Sequence, residues 1–280
     1  MELEDAAPCR HAGAPPKWAV DAASKLIRDL GREEALIAKY GLTSEEFKAA
    51  LPAAIESVRG RKSAETSDRT AFLGSVLQEL LSQGLVQGLE RPKAGSDTVY
   101  RLTVAGVGDI AVIQKGCPDG RHSSVSWSAP EWAQETYLWW LCDSMRYEPG
   151  EHIAKGVNRL RNRFFGDYPD TVDGVIFHNN LCGTATRVCP KSAHAIDIGG
   201  VRVPPPCIYV MPDRTDGATD WNWDGETRRH FPTLLLRAFG IVEEEAGLYV
   251  GHVGFQRRGT TEQTVITARY GAQRVTTYRS

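Results

Sequence analysis

Tyr168-Pro169-Asp170-Thr171-Val172-Asp173-Gly174-Val175-Ile176-Phe177-His178, followed by Arg187-Val188-Cys189-Pro190-Lys191, is the stretch on which the reading of this chain turns. Two carboxylates, Asp170 and Asp173, stand at the head of an apolar run with strand character, and a lysine follows about one hairpin later. Metal-assisted phosphodiester chemistry needs this ordering. An acid holds a divalent cation beside the scissile phosphate, and an ammonium stabilises the attacking hydroxide and the crowded charge of the transition state. The position two before the lysine is Cys189, a poor ligand for a hard cation that prefers oxygen.

Outward from that stretch, the chain is 280 residues long, with 41% apolar and 24% charged residues, the composition of a soluble globular protein. No apolar run reaches the ~20 residues of a membrane span, so no membrane partner is expected. The acidic start, Met1-Glu2-Leu3-Glu4-Asp5, lacks the basic-then-apolar order of an export signal, and a cytoplasmic location is expected. In that setting the six scattered cysteines read as thiols or metal ligands rather than disulfides.

A net charge of −2 argues against coating nucleic acid by bulk charge, yet the basic residues are segregated. Residues 250–280 carry five arginines, Arg257, Arg258 and Arg274 among them, against Glu262 alone. Residues 151–165 carry Lys155, Arg159, Arg161 and Arg163 against Glu151. Such segments suit a phosphate backbone, and double-stranded DNA is the partner they predict.

The N-terminal third reads as helical. Trp18–Leu30 stops at Gly31, and Thr43-Ser44-Glu45-Glu46 is a capping box. An apolar helix over 69–83 leads to two β-rich runs, 85–91 and 98–104, joined by a Pro/Gly/Asp turn. Beyond Gly106 the pattern is mixed. Strands are expected at 109–115, 173–178, 185–188 and 207–211. Helices are expected over 129–145, 151–165 and up to about Phe239, and three strands form the tail. The fold class expected is α+β, with a helical domain over 1–105 and a mixed-sheet domain over 106–280.

The N-terminal pattern resembles a winged helix, which implies a helix in the major groove and a hairpin on the backbone. The 168–191 stretch resembles the PD-(D/E)XK nuclease motif. In that arrangement an Asp leads the second strand of a hairpin core and the acid–X–Lys sits on the third. The resemblance implies a Mg²⁺-dependent DNA endonuclease of restriction type. Asp170 or Asp173 would bind metal, and Lys191 would stabilise the hydroxide. Glu135, read as part of a helix before the motif, would replace the acid missing at Cys189. Symmetric cutting of a duplex implies a homodimer. Arg274-Val275 resembles the dipeptide with which the BisI group of restriction nucleases reads 5-methylcytosine, the arginine on a guanine edge and the aliphatic on the methyl group.

One rival uses the same segment: His178, Cys182, Cys189 and His194 are four ligands suited to tetrahedral Zn²⁺, without a CxxC knuckle. It predicts a non-catalytic winged-helix regulator with a zinc-stabilised effector domain.

Overall fold

The computed structural model describes residues 17–51, 54, 66–92, 98–116, 127–141, 149–166, 172–178, 191–198, 201–223, 229–272 and 275–279. It is a mixed α and β structure built on one large sheet. Helices α1 (Lys17–Leu30), α2 (Glu34–Lys39) and α3 (44–51) come first, then α4 (Thr66–Ser82). Strands β1 (Gly88–Glu90), β2 (Val99–Val104), β3 (Gly108–Lys115) and β4 (Glu135–Leu141) follow. Helix α5 (Pro149–Phe165) leads to β5 (Gly174–His178), the small hairpin β6 (Ile196–Ile198) and β7 (Val201–Val203), then β8 (Cys207–Val210) and β9 (Asp220–Trp221). Helices α6 (His230–Ala238) and α7 (Glu243–Ala246) precede the tail strands β10 (Val250–Arg258), β11 (Thr261–Arg269) and β12 (Val275–Arg279).

The sheet runs β1-β2-β3-β4-β5-β8-β10-β11-β12, with β9 paired to β10 off that path. Strands β1, β2 and β3 are an antiparallel meander, whereas β3, β4 and β5 are parallel. Strand β8 then runs antiparallel to β5 and parallel to β10. A parallel neighbour demands a long crossover, and α5 lies in the one between β4 and β5.

Both faces of the sheet are covered. Leu73, Leu77 and Leu80 of α4 and Phe231, Leu235 and Leu236 of α6 pack with Tyr137, Trp139 and Ile176 on one face. Val157, Leu160 and Phe164 of α5 pack with Leu138, Trp140 and Val175 on the other. All seven residues of β4 are consequently buried. Trp139 and Trp140 point to opposite cores. At ~200 Å² each and ~25 cal/mol per Å², each contributes on the order of 5 kcal/mol before conformational costs.

Two expectations need correction here. The described part of the span expected as a helix over 129–145, residues 129–141, is not helical; Glu135–Leu141 is the strand β4, with β3 on one side and β5 on the other. A strand covered on both faces shows no period-2 alternation, so its apolar run carried no strand signature. The division at 105/106 falls in the tight turn between β2 and β3, where Gly106 takes a φ of 74°. Strand β2 pairs along its whole length with β3, and α4 packs into the same core. Strands β1 and β2 are thus part of the central sheet, and α4 covers one of its faces. The capping box is present as read: Glu46 accepts from the Thr43 backbone N–H (2.8 Å), and the Thr43 hydroxyl accepts from Glu46 N–H (3.2 Å).

Candidate functional site

Glu135 and Asp173 do come together, at the N-terminal ends of β4 and β5. Thr136 N–H donates to Asp173 Oδ2 at 2.6 Å, and Asp173 N–H returns a bond to the Thr136 carbonyl at 2.9 Å. Gly174 permits the approach. A Cβ there would stand 2.8 Å from the Tyr137 ring and 2.9 Å from the Tyr209 carbonyl. Glu135 is buried, and each of its oxygens accepts twice. Oε1 takes His230 N–H (2.8 Å) and His230 Nδ1–H (2.7 Å). Oε2 takes the Tyr137 hydroxyl (2.8 Å) and Phe231 N–H (3.1 Å). The carboxylate therefore caps α6, whose own N-cap, Arg229, offers no side-chain bond.

Asp173 Oδ1 faces the Arg229 guanidinium at 3.2 Å, and Arg229 reaches Asp213 with its other nitrogen. Burial holds the Asp173 carboxyl above its usual range, opposed by the Thr136 N–H and by Arg229. Burial also drives the Tyr137 phenol well upward, reinforced by Glu135. Among the described residues no group of three or more His, Cys, Asp or Glu is placed to hold a metal ion. Glu135 and Asp173 spend their oxygens on the protein itself. The described donors thus do not fit a Mg²⁺ site.

Lys191 sits at the other end of β5. Its side chain is 1% exposed, and Nζ donates to the Pro206 carbonyl (2.5 Å) and to Cys207 Sγ (3.3 Å). Cys207 pairs with Phe177, whereas Val210 pairs with Gly174, next to Asp173. At ~3.3 Å per residue, roughly 13 Å of strand separates the Lys191 contacts from Asp173. The expected Asp173–Lys191 pair is not assembled. Asp170, Cys182 and Cys189 lie outside the described residues.

The histidines of the zinc reading are engaged in the fold. His178 Nε2–H donates to the Pro204 carbonyl at 2.9 Å, and its ring lies among Phe72, Trp139 and Phe239. Burial lowers its pKa to about 3, the Pro204 bond opposing and Lys191 adding to the effect. His194 Nε2 is 2.9 Å from the Tyr249 hydroxyl.

Of the basic residues, Arg159, Arg257 and Arg258 are exposed. Arg257 also lies over the Phe165 ring (4.5 Å) and beside Glu262 (3.2 Å), and Arg163 stacks on Trp127 at 3.8 Å. The Lys155 side chain and Arg274 are outside the described residues, while Val275 is 58% exposed on the edge strand β12.

Tyr137, Arg229 and His230 were not singled out from the sequence. Tyr137 is a near neighbour of Glu135 in the chain, but His230 lies 95 positions from Glu135 and Arg229 is likewise remote from Asp173, so no local pattern announces the cluster. Comparison with protein-family models, with curated proteins and with solved structures gave no match. No described helix is long and apolar enough to cross a membrane.

Proposed function

We propose that the chain hydrolyses phosphodiester bonds of double-stranded DNA, and that its working lysine is Lys115 rather than Lys191. One observation carries the reading: the antiparallel meander β1-β2-β3 is continued by the parallel strands β4 and β5. The motif resemblance asks for an acid leading the second strand of a hairpin core and a lysine on the third. Here the second strand is β2 and the third is β3, which ends in Ile113-Gln114-Lys115. Gln114 is held opposite Thr98 by two bonds, Gln114 N–H to the Thr98 carbonyl (2.8 Å) and Thr98 Oγ1–H to the Gln114 carbonyl (2.7 Å). Thr98 follows Asp97 in the chain, and Asp97 lies outside the described residues. Ile113 stands where the motif has its second acid, as Cys189 does in the 168–191 stretch.

In this reading a water oxygen attacks phosphorus, a P–O ester bond breaks, and the Lys115 ammonium stabilises the charge gathering on the phosphoryl oxygens. The exposed Arg159, Arg257 and Arg258 contribute backbone contacts, so binding weakens with salt. Duplex cutting by a homodimer and a requirement for 5-methylcytosine, read by Arg274-Val275, are the narrower parts of the proposal.

The test is cleavage of plasmid DNA, with and without 5-methylcytosine, in Mg²⁺ and in EDTA. Wild type should cut at least one of these substrates, and the EDTA arm reports whether a divalent cation is needed. Lys115→Ala should lose about 10²-fold or more in rate, while Lys191→Ala keeps its rate per folded molecule. Loss in Lys191→Ala alone would return the role to Lys191. No cleavage of any substrate by wild type would remove the nuclease reading.

A further inference from the structure

Lys191 is one of the largest fully buried side chains described, and the proposed reaction does not use it. Its amine is held in place by the Pro206 carbonyl at 2.5 Å, with Cys207 Sγ at 3.3 Å. Pro206 and Cys207 are consecutive, so one short piece of backbone fixes both the amine and the sulfur. Cys207 is in no disulfide and stands at the start of β8, 8% exposed, within the α5-side core. Too little of it shows for a bulky reagent, while hydrogen peroxide is scarcely larger than water. We propose that Lys191 and Cys207 are an oxidative cross-linking pair, joined by a sulfur–nitrogen bond when the protein meets a peroxide.

The chemistry balances in two steps. The Cys207 sulfur takes one oxygen from hydrogen peroxide, the O–O bond breaks, and water leaves; sulfur is oxidised by two electrons and the peroxide reduced. The product is a sulfenic acid, which condenses with a nearby nitrogen. Lys191, its ammonium having released a proton, attacks the sulfenic sulfur through Nζ. The S–OH bond breaks, the N–S bond forms, and the hydroxyl departs with one amine hydrogen as a second water. The chain has then lost two hydrogens. The new bond ties the turn at Ser192–His194 to β8, the strand between β5 and β10. Two equivalents of an added thiol reverse it, the first displacing the amine and the second freeing Cys207.

The experiment uses the full chain, treated with hydrogen peroxide and analysed by intact-mass and tryptic-peptide mass spectrometry. The expected result is loss of two hydrogens, disappearance of tryptic cleavage after Lys191, and a cross-linked peptide joining the Lys191 and Cys207 segments, all reversed by dithiothreitol. Lys191→Arg should instead carry Cys207 up to sulfinic acid without a cross-link, and Cys207→Ser should show neither change. Wild type that accumulates sulfinic acid on Cys207, joins Cys207 to another cysteine, or leaves Cys207 unmodified, with Lys191 still cleaved, overturns the proposal. The wild-type result decides even where a variant fails to fold.

Discussion

At the N-terminal ends of β4 and β5 every oxygen of Glu135 and Asp173 has a partner, and the partners come from β4, the Arg229 turn and α6. Toward the C-terminal ends of β3, β4 and β5, Gln114 Oε1, Trp139 Nε1 and His178 Nδ1 are buried without a hydrogen-bond partner. Both ends bury polar groups between the same layers. One end uses charge as mortar between sheet and helix, while the other holds the Lys191 amine on the Pro206 carbonyl beside neutral groups whose capacity is unspent. A carboxylate chosen by motif can thus prove to be architecture, because a buried acid is tolerated only where several donors meet it.

The contrast is broken most easily at Glu135. Replacing it by Ala leaves His230 N–H, Phe231 N–H and the Tyr137 hydroxyl facing an apolar gap, and stability should fall by about 3–5 kcal/mol. Urea denaturation checks this, and a loss below about 1 kcal/mol would make the cap incidental.

The second break is made with pH. The folded-state pKa of His178, about 3, lies below the ordinary 6.5. The unfolded chain takes up the proton first, so this stability is intact above pH 6.5 and drains away as pH falls toward 3. Between pH 6.5 and 5 the loss should be roughly 2 kcal/mol. His178→Phe, in a pocket already lined by aromatic rings, should flatten that part of a melting-temperature profile. Parallel profiles for the two proteins would refute the buried neutral imidazole.

The smallest effect is expected at Asp173. In Asp173→Asn the amide oxygen still accepts from Thr136, and the lost Arg229 pairing is offset by relief from burying a charge. The change should stay within about 1 kcal/mol by the same urea titration. An effect matching that of Glu135→Ala would erase the distinction between the two acids.

Much of the architecture was readable because it is local. The Gly/Pro-marked hairpin of β1 and β2, the Thr43–Glu46 box, the run 173–178 and the alternating tail strands each carry their signal within ten residues. β4 was misread because burial on both faces removes the alternation that marks a strand, and Ala129-Pro130-Glu131 mimics a helix start. The site was less readable for a related reason. Spacing in sequence from Asp173 to Lys191 resembles a hairpin separation, but β5 ends between them and carries the lysine to its far end. The α6 partners of Glu135, His230 and Phe231, lie 95 and 96 positions away and could not be read from local sequence.

The place of β8 has a consequence for how the chain is made. Strand β5 is flanked by β4, already synthesised, and by β8, which is not complete until Val210. Strand β8 in turn waits for β10, some forty residues later. A nascent chain that has just finished β5 therefore presents a bare edge of Val175, Ile176 and Phe177, a template for pairing with other chains. Fragments ending near residue 180 should precipitate where those reaching Arg269 stay in solution. In the cell, the interval between making β5 and making β10 is when this protein most depends on chaperones.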